Sequence, residues 1–227
     1  MDISQKLQEI KQEIARITAM KPGNRVKILG VTKTVDVERI KEASQAGVEA
    51  FGENKVQEFL EKYEKLPNLE WHFIGHLQTN KINKILGKVS LIHSLDRYNL
   101  AEEINKRAYR LGIVVPVLLE VNMAKEESKF GLMPEEVVDF YLEARENFKN
   151  LEVSGLMTVA PYVDNPEEVR PVFRGMRELF LKLKALDPAN EKLQYLSMGM
   201  SNDYKVAVEE GANIIRLGTL LFGERNY

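Results

Sequence analysis

The sequence predicts a single (β/α)8 barrel, and three observations carry that reading. Eight short apolar runs recur along the chain, each followed by a helical pattern, as successive βα units require. Several runs are near-continuous stretches of β-branched and aliphatic residues, the composition of parallel strands buried on both faces. The 227 residues, 44% of them hydrophobic, show no composition break, low-complexity tract or long linker, so 1–227 reads as one domain around one core. An open doubly wound sheet is the competing arrangement of the same elements.

The elements follow in order. Over residues 1–20, Ile3, Leu7, Ile10, Ile14 and Ile17 fall on one face of an amphipathic helix. Lys21-Pro22-Gly23-Asn24 marks its stop. That apolar stripe can pack on the barrel or on a second chain; the barrel is the expected partner, and a monomer the expected state. Strands are expected at 26–32, 48–52, 70–75, 91–94, 114–121, 151–157, 193–198 and 214–217. Met133-Pro134 opens a helix carrying Val137, Val138, Tyr141 and Leu142. Asn165-Pro166 supplies a cap and a first-turn proline before Val169, Phe173, Met176, Leu179 and Leu183.

Composition removes several classes of function. A formal charge of −2 gives no basic field for nucleic acid or anionic lipid, and the absence of cysteine removes disulfides, thiolate catalysis and Cys-based zinc sites. The histidines are His72, His76 and His93. His72 and His76 lie four apart in Trp71-His72-Phe73-Ile74-Gly75-His76, which alternates like a strand end and holds no acid between them, so no metal is expected. Residues 1–15 carry acids among lysines rather than a leader, and no window approaches the roughly 18 apolar residues of a membrane span. The cytoplasm is the expected compartment.

A parallel barrel places its chemistry at the C-terminal ends of its strands. Thr32-Lys33-Thr34 follows the first run, which puts Lys33 at the rim of an apolar interior, where a lysine amine can attack a carbonyl. An isolated strand-end lysine is more often structural, with its ammonium reaching solvent. Ser197-Met198-Gly199-Met200-Ser201 follows the seventh run. Ser201 there is a candidate N-cap, with free N–H groups suited to a phosphate. Gly218-Thr219 repeats the design after the eighth run, and two such neighbouring turns match the phosphate position of these barrels. With Lys33 they point to a phosphorylated carbonyl compound. His76 reads either as an acid–base group or as a backbone-bonded strand end, and Asn54 either as a mouth residue or as a helix cap.

These residues resemble a known family. Val31-Thr32-Lys33, Phe51-Gly52-Glu53-Asn54, the segment from Trp71 to Lys81, Gly155-Leu156-Met157, Leu196-Ser197-Met198-Gly199-Met200-Ser201 and Arg216-Leu217-Gly218-Thr219 are similar to motifs of the pyridoxal phosphate homeostasis protein family (the YggS/PROSC-like group). The resemblance implies a fold-type III barrel similar to the N-terminal domain of alanine racemase, with pyridoxal 5′-phosphate held as a Schiff base on Lys33. It further implies phosphate contacts from Met200, Ser201, Gly218 and Thr219, with Ser197 the less secure of the two serines, and Arg216 facing the pyridine nitrogen. Asn54, His76 and Met157 match pocket positions.

An arginine opposite that nitrogen keeps its own proton and weakens the ring as an electron sink. The related racemases take a second base, a tyrosine, from a separate β domain, and a chain stopping at Tyr227 leaves no length for one. The leading expectation is therefore a protein that holds, buffers or delivers the cofactor to apo-enzymes without efficient turnover. A racemase-like enzyme on small amino acids ranks second. A Schiff-base aldolase, with Glu53 as its one motif-associated carboxylate, ranks third.

Overall fold

The computed structural model describes residues 2–19 and 25–223. Eight parallel strands close on themselves in sequence order, which decides against the open sheet. They are β1 Lys27–Val31, β2 Ala50–Glu53, β3 Trp71–Phe73, β4 Leu91–Leu95, β5 Val115–Glu120, β6 Leu151–Met157, β7 Tyr195–Ser197 and β8 Ile214–Leu217. The seam pairs Leu29 with Arg216 and Gly30 with Leu217. Helix α1, Ile3–Thr18, precedes the barrel. The connections carry α2 Val37–Gln45, α3 Val56–Lys65, a 3-10 turn at Thr79–Lys84, α4 Tyr98–Leu111 and α5 Val137–Asn147. A second 3-10 turn, Pro166–Val169, leads into α6 Arg170–Leu186, and the short helices α7 Tyr204–Glu209 and α8 Thr219–Phe222 follow the last two strands.

All eight expected strands are present, five of them shorter than expected, and for three the reason is identifiable. The second starts at Ala50 because Val48 N–H closes the end of α2 on Ala43 C=O at 3.0 Å. The third ends at Phe73 as the chain turns through Gly75, where a Cβ would lie 2.1 Å from the Asn54 carbonyl oxygen. The seventh ends before Gly199, which turns at φ +93° with no room for a side chain against Ala207. In α5, Val137 and Tyr141 turn inward, whereas Leu142 stays exposed on the outer face.

Period-two alternation sorts the strand residues into two layers. Outward-facing Phe51, Trp71 and Phe73 pack against the helices, with the Trp71 ring 5.8 Å from that of Phe59 on α3. Leu29, Ala50, Leu91, Leu118, Met157 and Ile214 face inward and fill the barrel as a separate cluster. Ile3, Leu7, Ile10 and Ile14 of α1 are buried against α7 and α8, with Ile17 partly covered. The Lys21-Pro22-Gly23-Asn24 stop lies outside the described residues. Among the described residues no helix is long and apolar enough to cross a membrane.

Candidate functional site

Lys33 lies in a turn just beyond β1, closed by Val35 N–H on Thr32 C=O at 2.8 Å. Its neighbour Thr34 adopts φ +62°, an uncommon backbone for a β-branched residue, and its N–H is held by Glu58 Oε2 at 3.1 Å. A buried network fixes the turn from below. Thr32 Oγ1 donates to Glu53 Oε1 at 2.6 Å, and Lys62 Nζ on α3 reaches Glu53 Oε1 at 2.5 Å and Thr32 C=O at 2.6 Å. Asn54 N–H takes Glu53 Oε2 at 3.1 Å. Both oxygens of Glu53 are thus engaged and the residue is fully buried, so it cannot serve as the aldolase acid–base group. The Lys33 amine, by contrast, makes no hydrogen bond or ion pair among the described residues and is half-buried at the rim.

The two turns at the other side of the seam are tied together. Ser201 is not the cap of α7, as the sequence suggested. The helix begins at Tyr204, and the Asp203 carboxylate accepts from Met200 N–H at 2.6 Å. Ser201 Oγ instead accepts from Gly218 N–H at 3.3 Å and Leu220 N–H at 3.2 Å. Backbone donors of the β8–α8 turn therefore converge on one oxygen of the β7–α7 turn. Thr219 opens α8 with its side chain exposed. Because β8 is the neighbour of β1, these turns share one rim with Lys33.

Arg216 points into the barrel beneath them, 4% exposed. Its Nη1 donates to Ser197 Oγ at 2.8 Å and its Nη2 to Thr158 C=O at 2.7 Å. Burial pushes its pKa down to about 10 against the pull of the Asp203 and Glu120 carboxylates, so it stays cationic at neutral pH. Two of the five guanidinium donors are used, leaving others for a ligand. Ser197 is fully buried and also meets His93 Nδ1 at 3.1 Å, so it supports the arginine and is not open to a phosphate.

Met157 is buried in the inner cluster. His76 lies at the mouth, held not by backbone but by Asp96 Oδ2 at 3.3 Å, with its ring stacked 3.9 Å from Phe130. Asn54 is exposed, and α3 carries no side-chain cap, so the capping role is not realised. Sequence reasoning missed Lys62, Thr158, Glu120 and the place of His93. Lys62 had a readable signal, since it continues the buried stripe of Val56 and Phe59 at helical spacing.

Burial, reinforced by Asp96, raises the Glu120 carboxyl to about 7, with Arg216 and Arg97 opposing. A folded-state pKa above the ordinary 4.5 means that the native state binds the extra proton. Stability is therefore complete below that ordinary value and declines as pH rises through about 7. Glu120→Gln is expected to remove this decline, gaining roughly 1–3 kcal/mol over wild type at pH 8 but little at pH 4. Urea unfolding at the two pH values measures it, and parallel pH profiles for both proteins would contradict it.

Comparison with known proteins places this geometry. The family model of the alanine racemase N-terminal domain matches residues 5–226. A pyridoxal phosphate homeostasis protein of Aquifex aeolicus is 52% identical over 99% of this chain and 97% of its own. The solved structure of PipY from Synechococcus elongatus with PLP bound superposes at TM-score 0.83, with 33% identity over 97% of this chain and 100% of that one. Alanine racemase of Clostridium difficile shares the fold at TM-score 0.74 and 19% identity, covering 97% of this chain but 58% of that one. Matched from end to end by such relatives, and built on that barrel, this chain belongs to the pyridoxal phosphate homeostasis protein family.

Proposed function

We propose that this chain binds pyridoxal 5′-phosphate at the C-terminal mouth of its barrel, covalently through Lys33, and buffers or delivers it. The observation that carries the proposal is a lysine without a polar partner among the described residues, in a hydrogen-bonded turn, beside two turns joined by backbone donors of one converging on a hydroxyl oxygen of the other. The donor set fits the group: an amine for an aldehyde, N–H and hydroxyl donors for a phosphate, and a guanidinium for a ring nitrogen. The PLP-bound relative supports the same ligand. When bound, the cofactor supplies an aldehyde carbon and an electron-withdrawing ring.

The residues of the chain divide the remaining work. Lys33 provides the nucleophile, and the Thr32–Glu53–Lys62 network fixes the backbone from which it projects. Ser201, Gly218 and Thr219 hold the phosphate, while Met200, whose N–H is taken by Asp203, shapes the turn beside them. Arg216 donates to the ring nitrogen while keeping its own proton. Asn54, His76 and Met157 line the remainder of the pocket. The proposal includes one domain over residues 1–227, working as a monomer in the cytoplasm and passing cofactor to apo-enzymes. A dimer mass by light scattering would revise the monomer assignment.

Combining Ser201→Ala with Thr219→Ala is expected to raise the dissociation constant for pyridoxal phosphate at least tenfold, about 1.4 kcal/mol, in a fluorescence titration. Unchanged affinity would put the phosphate elsewhere. A carrier also predicts α-proton exchange of alanine in deuterated water far below the order of 1 per second of ordinary enzymes. Turnover at that rate would replace the carrier with a racemase-like enzyme.

A further inference from the structure

A continuous line of polar side chains crosses the barrel interior. It starts at the N-terminal face, where Lys27 Nζ donates to Glu70 Oε1 at 2.7 Å and the His72 Nε2 edge meets the same oxygen at 2.9 Å. His72 Nδ1 then lies 2.9 Å from His93 Nε2. His93 Nδ1 lies 3.1 Å from Ser197 Oγ, which receives Arg216 Nη1 at 2.8 Å. The line climbs from the start of β1 and β3, through the middle of β4, to the ends of β7 and β8. His72, His93, Ser197 and Arg216 are each less than 5% exposed. Its lower end opens on a cavity of about 210 Å³ lined by Lys27, Glu70, Glu152, Lys192 and Gln194, among others.

The donor sense of every link is forced. The Glu70 carboxylate, held down to about 2 by its bond to His72 against the cost of burial and with help from Lys27, can only accept. His72 must therefore carry its proton on Nε2. Burial pushes both imidazoles below their usual range, so each is neutral and has one donor and one acceptor nitrogen. With Nε2 protonated, His72 Nδ1 accepts, so His93 Nε2 must donate and His93 Nδ1 must accept. The Ser197 hydroxyl then donates to His93 and turns its lone pairs toward Arg216. With both imidazoles neutral, a carboxylate at one end and a guanidinium at the other admit only this sense.

We propose that Glu70, His72 and His93 are positioning residues for Arg216, joined in a hydrogen-bonded chain whose one sense draws the Ser197 hydroxyl proton to His93 and so aims its lone pairs at the arginine. The consequence for the cofactor rests on the functional reading above. An arginine locked by Ser197 below and Thr158 alongside presents its remaining N–H groups in one direction, toward the ring. The geometric part rests on no ligand.

The test uses the full chain. In long-range ¹H–¹⁵N spectra of the cofactor-free protein, His72 and His93 are expected as neutral Nε2–H tautomers, and the Arg216 Nη protons as slowly exchanging, resolved signals. Glu70→Gln removes the charge that fixes the sense while leaving a side chain of the same shape. It is expected to mix the His72 tautomers and to broaden the Arg216 signals. In the loaded protein it should shift the visible absorption maximum and weaken cofactor binding about fivefold, the effect of one misdirected hydrogen bond. Glu152→Gln, on the same cavity but outside the chain, should change none of these. An Nδ1–H tautomer or an imidazolium at either histidine overturns the proposal, as do Arg216 signals indifferent to Glu70→Gln. A wild-type chain that takes up no cofactor would sink the functional reading alone, and the tautomer and guanidinium signals would still decide the positioning chain.

Discussion

Lys33→Ala is expected to abolish the yellow absorption of the loaded protein and to leave nothing for borohydride to fix on the chain. Retention of pyridoxal phosphate through ultrafiltration should fall by about a hundredfold or more, equivalent to roughly 2.7 kcal/mol of lost binding. The rest of the molecule should hardly notice. The Lys33 amine has no polar partner among the described residues, and the turn is held by Thr32, Thr34 and Val35 rather than by the lysine side chain. Unfolding free energy is therefore expected to stay within about 0.5 kcal/mol of wild type, the range of an ordinary surface change. A variant that keeps its colour, or that loses the cofactor only because it unfolds, would remove Lys33 from the centre of the proposal.

Lys62→Met should have the opposite signature. It leaves the Glu53 carboxylate fully buried and without its cation, a loss of about 3–5 kcal/mol. In a chain of this size that corresponds to a fall in Tm of roughly 10 °C, readable by calorimetry. It also frees Thr32 C=O, so the lysine turn loosens and cofactor affinity should drop with stability. The double variant Glu53→Gln with Lys62→Met removes both charges and should recover most of the stability but not the affinity. A single variant as stable as wild type would mean that the buried pair does not hold the turn.

The architecture was legible because it is written in periodicity. Continuous aliphatic runs such as those around Val117 and Ile215 read as strands covered on both faces, and the stripe from Ile3 to Ile14 matches a buried helix face. Strand ends were less legible, since Gly75 and Gly199 stop the ladder through close backbone approaches that arise only in three dimensions. Strand-end positions placed Lys33, Ser201 and Gly218 on one rim, but the helix-cap reading of Ser201 failed, because its hydroxyl links two turns. Glu53 stayed available to the third-ranked aldolase reading because its partner Lys62 lies nine residues away on another element. His72 and His93 looked like scattered histidines because strand register, which no single sequence states, brings their rings within 2.9 Å. Pairwise contacts across the barrel were the missing information in each case.

Helix α1 carries a consequence of its own, because its buried face rests on α7 and α8, the helices that follow the two turns joined through Ser201. These three segments share their apolar cover, and Lys205 of α7 adds an ion pair to Glu13 at 3.1 Å. They should open and close as one cooperative unit in hydrogen exchange, distinct from the barrel staves that stay shut until global unfolding. Loosening of the two turns joined through Ser201 would then be coupled to the undocking of α1, a segment about 180 residues away from them in the sequence.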